Sequence, residues 1–341
     1  MENYLIRNDD DAVSKITIQD VADALGISKT TVSRAISGKG RIGSETRNKV
    51  LEYIEKNNYK PNPIAKGLAK QKTYNIAWIM PGDPGVTDLP FFQKCMSGVI
   101  CEAQERDYDV LISMVYDDDI SSLKRIVTNQ KIDGAVLGRT LTDDENVRFL
   151  KESGIPFVVI GSTDEKNVIQ VDNDHVKACG ELISILLLKG LKNLVLICGS
   201  DRHIVNLTRR EGFESAIGSA SKKIKSEIYM NSDNEGAVGR IVDNAIHENV
   251  ECIVCADDKI CAMVIDKLHK ENVKIPEQIK VASFYNSEII ENNQPPITTL
   301  KYDPRELGIT AASLLFSYIE GNEVPGRTYL PYEVMLKGST Q

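Results

Sequence analysis

The sequence predicts an all-helical head followed by an α/β body built on two parallel sheets. Three observations carry this expectation. Residues 15–60 show helical periods and helix caps without a strand-like run. From residue 74 onward, short apolar runs alternate with longer amphipathic stretches. The charge divides at the same place. Residues 15–72 hold 12 Lys/Arg against 5 Asp/Glu, a net of +7, while residues 1–14 carry −3 and the rest −12, within a formal total of −8 over 341 residues. A basic head on an acidic body implies that only the head meets a polyanion.

The N-terminal stretch "MENYLIRNDDDAVSK" lacks a signal-peptide core, and residues 1–14 read as a disordered leader. No apolar run approaches the roughly 18 residues needed to cross a membrane. Seven cysteines, an odd number, without a secretion signal point to free thiols and a cytoplasmic location.

In the head, Thr17 caps a first helix with Asp20 three residues on, and Ile18, Val21, Ala22 and Leu25 share one face. Gly26 stands where a left-handed terminator is required. Ser28 caps a second helix whose Val32 and Ile36 face the first. Its outward residues are Lys29, Thr30, Thr31, Ser33 and Arg34, donors suited to base edges and phosphates rather than to a core. This is a helix-turn-helix over residues 15–61. A third helix is expected from Ser44, read as its cap, to about Asn57. Residues 62–72 read as a hinge helix, capped by Asn62 with Pro63 at its first position, weakened by Gly67 and exposing Leu68 as an apolar wedge.

In the body the strand-like runs are 75–80, 109–115, 133–138, 156–161, 193–198, 251–256 and 279–284. Helical patterns fall at 91–106, 143–153, 173–189, 206–219, 234–248 and 258–272. Counting gives two sheets with helices on both faces. Ligands of parallel sheets bind beyond the carboxyl ends of strands. That rule selects Arg139, Ser162, Asp257, Asp258, Tyr285 and Asn286. Arg139 has two readings, a ligand contact or an ordinary ion pair.

Two stretches, "TIQDVADALGISKTTVSRAISG" and "TRNKVLEYIEKNNYKPNPIAKGLA", resemble the head and hinge of the lactose-repressor/galactose-repressor family of bacterial transcription regulators. The likeness continues through "DGAVL", "GIPFVVIG", "VDND", "TRREGFESAI", "CADDKICAM" and "PPITTLKYDPRELG" in family order. It implies a body, 73–341, of two doubly wound lobes facing across a cleft, as in periplasmic binding proteins. The N-lobe is expected at about 73–172 and 300–325, the C-lobe at about 173–299 and 326–341, with crossovers near 172, 299 and 326. It also implies a homodimer on a pseudo-palindromic operator. Lys29, Thr30 and Arg34 would read bases, and Thr31 and Ser33 would hold phosphates. Leu68 would wedge into a minor-groove step, supported by Asn62, Ala65 and Lys66. Phe91, Phe92, Asn206 and Arg209 join the effector site on the same ground, and for Phe92 plain core packing stands as the second reading. Where many members carry an acid, this chain has Tyr285. The expected effector is a sugar or oligosaccharide, with a sugar acid or sugar phosphate as the alternative.

Rival chemistries find little support. Cys252 and Cys255 form a C-x2-C inside a strand, where spacing three puts the side chains on opposite faces, so no metal is expected. No phosphate loop or nucleophile elbow occurs, so neither a cofactor nor an enzymatic activity is expected, an α/β sugar kinase included. The head and the missing signal argue against a transporter's solute-binding protein.

Overall fold

Helix caps open the fold as the sequence prescribes. The structure, a computed structural model, describes residues 16–38, 40–59, 67, 71–83, 90–116 and 118–341. The chain divides into two units, residues 1–73 and 74–341. In the first, α1 (Ile18–Leu25) begins at a reciprocal capping box. The Asp20 N–H donates to Thr17 Oγ1 (3.3 Å), and the Thr17 N–H donates to Asp20 Oδ2 (2.7 Å). Gly26 ends the helix in the left-handed region at φ 64°. Ser28 caps α2 (Lys29–Ser37) by accepting the Thr31 N–H (3.1 Å). The third helix, α3 (Ser44–Lys56), differs from expectation. Gly43 is its N-cap and supplies no side chain, so Ser44 is the first helical residue rather than the cap. Val21, Ala22, Val32, Ala35, Val50 and Tyr59 form the core beneath the three helices.

The second unit holds two six-stranded sheets. The first contains β1 (Asn75–Pro81), β2 (Asp109–Val115), β3 (Gly134–Leu137), β4 (Phe157–Ile160), β5 (Ile169–Asn173) and β11 (Arg327–Leu330), in the order β11-β5-β4-β3-β1-β2. The second contains β6 (Asn193–Ile197), β7 (Lys225–Tyr229), β8 (Cys252–Cys255), β9 (Lys280–Ser283), β10 (Thr298–Lys301) and β12 (Glu333–Met335), in the order β12-β10-β9-β8-β6-β7. The two orders are equivalent, so the lobes are structural cousins. Among the described strands only β12, antiparallel to β10, breaks the parallel pattern. Between the strands run α4 (Pro90–Gln104), α5 (Ser121–Thr128), α6 (Glu145–Ser153), α7 (His175–Leu188), α8 (Ile204–Gly218), α9 (Glu235–His247), α10 (Asp258–Lys270), α11 (Glu288–Glu291) and α12 (Pro304–Ile319). The inner strands β3, β4 and β8 are buried apolar runs, as expected for sheets covered on both faces.

The crossovers fall later than the sequence suggested. β10 still belongs to the second sheet through Lys301, and α12 then packs on β3, β4 and β5. β11, expected in the C-lobe, pairs with β5 in the first sheet. The chain crosses back only at Pro331 and Tyr332. The bend at Gly326, where a crossover was expected, leads into this edge strand.

In each lobe one pair of helices crosses through glycines. An added Cβ at Gly308 of α12 would lie 2.0 Å from the Cys95 carbonyl oxygen of α4, and one at Gly212 of α8 would lie 2.5 Å from the Val176 carbonyl oxygen of α7. These close crossings fix α4 and α8, the two helices whose N-termini enter the cleft.

Candidate DNA-reading helix and inter-lobe cleft

On α2 the helical period separates two faces. Val32 and Ala35 are buried, while Lys29, Thr30, Ser33 and Arg34 are exposed. Thr31 is half-buried, and its hydroxyl shares a hydrogen bond with Ser28 Oγ (2.9 Å) at the cap. The far end of the helix is held by a residue the sequence reading passed over. Arg47, from α3, donates through Nη2 to the Gly38 carbonyl (3.1 Å). The face therefore offers two cations and two free hydroxyls on a helix pinned at both ends, a set suited to phosphates and base edges. Asn62, Ala65, Lys66 and Leu68 lie outside the described residues.

The cleft in the second unit begins as a line of aromatic rings. Phe91, at the start of α4, packs against the cores of both lobes. It meets Phe92 edge-on (5.2 Å) and Tyr285 edge-on (6.0 Å). Tyr285 stacks on Tyr302 (6.3 Å, 13° between planes), and Tyr302 meets the His175 ring edge-on (5.2 Å). Phe92 is largely core. Tyr302, next after β10, and His175, two residues past the end of β5, extend the site beyond the residues chosen from sequence. The strand-end rule would have found them had those two strands been recognised.

Polar groups flank the rings. Arg209 on α8 is 8% exposed, and among the described residues its Nε has no hydrogen-bond partner. Its charge acts on Tyr285, Tyr302 and Asp257 together. Burial holds the Asp257 carboxyl above the usual range, against the pull of the Ile260 N–H it caps (2.8 Å) and of Arg209. Burial likewise pushes the Tyr285 and Tyr302 hydroxyls up.

Several expected contacts are already committed within the protein. Asp258 accepts from the Ser287 hydroxyl and the Lys259 N–H, which anchors the turn before α11. Asn206 donates to the Ser200 carbonyl (2.9 Å). Ser162 donates to Asp172 (2.9 Å). Arg139 pairs with Asp83 (3.0 Å) and lies 3.4 Å from His203 Nε2, so the ion-pair reading describes it. Asn286 contacts Glu291.

The lobes also touch through backbone. Leu141 and His203 form an antiparallel bridge, with the Thr142 N–H donating to the Arg202 carbonyl (2.9 Å) and the Ile204 N–H to the Thr140 carbonyl (3.3 Å). A cavity of about 20 Å³ lies between the lobes behind His175, lined by Ser162, Asp172, Thr208 and Tyr329 among others.

The cysteines take no part in this geometry. Cys252 and Cys255 are buried inside β8, and burial pushes the Cys252 thiol up to about 12. Among the described residues no group of three His, Cys, Asp or Glu side chains is placed to hold a metal, and no helix is long and apolar enough to cross a membrane.

A capped helix-turn-helix joined in one chain to a two-lobed α/β body with a polar cleft defines a ligand-binding regulator of the DNA-binding class. Residues 17–62 match the bacterial regulatory proteins of the lacI family, and residues 183–340 match the periplasmic binding protein-like domain. Catabolite control protein A of Staphylococcus epidermidis is 28% identical over 334 residues, spanning 96% of this chain and 99% of the relative. The fold is similar to that of the lac repressor dimer bound to operator and the anti-inducer ONPF, with TM-score 0.80 and 21% identity over 95% of this chain and 99% of that one. It is also similar to the transcriptional regulator CelR in complex with cellobiose, with TM-score 0.70 and 22% identity over 95% and 99% of the two chains. Residues 17–62 carry the DNA-binding domain of the lacI family of bacterial regulatory proteins, and the chain has the fold of the lac repressor.

Proposed function

We propose that this protein is a cytoplasmic homodimer that binds a pseudo-palindromic operator through α2 and changes its operator affinity when a saccharide occupies the inter-lobe cleft. The single observation that carries the saccharide reading is Arg209. A buried guanidinium with an Nε unpartnered among the described residues, acting on the half-buried Asp257 carboxyl and on a row of aromatic rings, is a costly arrangement for a core. It matches what a polyhydroxylated ring demands: donors and acceptors for its hydroxyls and apolar faces for its C–H groups. The relatives agree in kind, since one structural neighbour is a regulator in complex with cellobiose.

In this reading Lys29, Thr30 and Arg34 read major-groove base edges, and Ser33 and Thr31 meet phosphates. The net charge of +7 on the head supplies sequence-independent attraction. Leu68, flanked by Asn62, Ala65 and Lys66, opens a minor-groove step at the operator centre. In the cleft Arg209 and Asp257 hold ring hydroxyls, Phe91 and Tyr285 supply the apolar wall, and Asn206, Ser162 and Asp258 fix the loops around them. Ligand binding shifts the angle between the lobes by acting on the contact that joins residues 140–142 to residues 202–204, and the two heads of the dimer respond.

The test is selection of bound sequences from random duplex DNA, followed by the mass of the complex. The expected result is an inverted repeat bound by two chains. Enrichment of no sequence above background, or binding by a single chain to a non-repeated site, refutes the reading.

A further inference from the structure

Arg34 carries the only guanidinium of the exposed α2 face, at the end of a long rotatable arm. An arginine in the last turn of a helix can fold back on the terminal carbonyls, where the helix dipole attracts it. On α2 that partner is taken. The Gly38 carbonyl, at the C-cap, accepts from Arg47 Nη2 of α3 (3.1 Å). Among the described residues the Arg34 guanidinium makes no hydrogen bond or ion pair.

The arm is nonetheless held along its length. An added Cβ at Gly40 would lie 3.2 Å from Arg34 Cδ and 3.6 Å from both Cγ and Nε. The Arg34 stem therefore lies across the bare Cα of Gly40, in contact up to the root of the guanidinium. Gly40 also stands at φ 92°, which a residue with a side chain adopts only under strain. Glycine meets both demands, the open face and the backbone angle. The turn that presents Gly40 is tied to α3 through the Arg47 bond to Gly38. Arg47 Nε is buried and, among the described residues, unpartnered, a cost that a side chain serving only to pack would avoid.

A guanidinium confined before it meets DNA gives up less rotational freedom on binding. It is also aimed at one base edge rather than at any phosphate within reach. We propose that Gly40 and Arg47 are positioning residues for base recognition. Gly40 seats the Arg34 arm. Arg47 fixes the turn that carries the seat, and occupies the carbonyl that would otherwise capture the guanidinium. Sequence preference then depends on residues of the turn and of α3 as well as on the exposed face of α2. This rests on α2 being the reading helix.

The experiment is a double-mutant cycle on the full chain, read by fluorescence anisotropy. The probes are the duplex enriched from random DNA, its single-base variants, and a random-sequence duplex of the same length. Arg34→Ala should flatten preference at one base pair. Arg47→Met keeps the bulk of the arm without its donors. Arg47→Met and Gly40→Ala should each weaken the enriched duplex by about threefold to tenfold and flatten that same base pair. Affinity for the random duplex should change by less than about twofold. In the Arg34→Ala background each change should cost less than about twofold. Arg47→Lys retains a donor and should recover most of the loss. Because Gly40→Ala leaves the Arg47 bond in place, and Arg47→Met leaves Gly40, a folding defect in one variant leaves the cycle of the other intact. An equal cost with and without Arg34 would mean that both residues only maintain the head, and overturns the proposal. So does a loss of preference spread over all base pairs, or a fall on the random duplex as large as on the enriched one. Arg47→Lys binding as weakly as Arg47→Met overturns the part assigned to Arg47. Unchanged base preference in Arg34→Ala overturns the reading of α2 itself, and the proposal with it.

Discussion

Replacing Gly308 by alanine puts a methyl group where no side chain can rotate away. The added Cβ would lie 2.0 Å from the Cys95 carbonyl oxygen and 2.8 Å from its carbon, both backbone atoms of α4. Ordinary C···O contact begins near 3.3 Å, so α12 and α4 must part by roughly 1.3 Å at their crossing. Overpacking of this kind costs about 1–3 kcal/mol, and the backbone obstacle places it towards the upper end. Alanine recovers up to about 1 kcal/mol over glycine within a helix. The net loss of about 2 kcal/mol corresponds to a melting temperature lower by roughly 4–8 °C. The matched control is Gly239→Ala in α9, where nothing lies within 4 Å of the added Cβ. There the same change should stabilise by about 0.5–1 kcal/mol. Thermal denaturation followed by circular dichroism measures both. A Gly308→Ala protein melting within about 1 °C of wild type, or a Gly239→Ala protein losing as much, would refute the argument that close helix crossings fix these two elements.

Other substitutions probe the head. Arg34→Ala should cost about 1–3 kcal/mol in operator binding and relax preference at one base pair, measured by anisotropy against a set of single-base operator variants; uniform weakening across the set would make Arg34 a phosphate contact instead. Ser28→Ala removes the cap that accepts the Thr31 N–H and should destabilise the head by about 1 kcal/mol, with Ser28→Asp restoring it; a head insensitive to either change would show that the cap contributes nothing.

The legible parts of the fold were those where one local rule acts without competition. The Thr17-x-x-Asp20 box and Gly26 needed only the chain's own neighbours, and both formed. The strand read at 109–115 matches β2 (Asp109–Val115), because a run flanked by turns leaves little freedom at its ends. β7, the edge strand "KSEIY", escaped because a half-exposed edge needs no apolar run. β5 and β10 carry Gln170, Asp172, Thr298 and Thr299, polar side chains buried in a sheet, so neither reads as apolar. Their omission hid Tyr302 and His175. The Arg139–Asp83 pair joins residues 56 apart in sequence, and only the topology brings them together. At Ser44 a plausible cap lost to Gly43, because helix starts shift by a residue with little cost.

The central claim is that a ligand held by Arg209 controls the reading helix. The most direct test measures operator affinity of the full chain with and without the saccharide that stabilises it, for the wild type and Arg209→Met. The expected result is a change of about tenfold or more in the wild type and less than about twofold in the variant, with equal affinity for operator when no saccharide is present. Equal responses in both proteins would contradict the account and place the control of DNA binding elsewhere in the molecule.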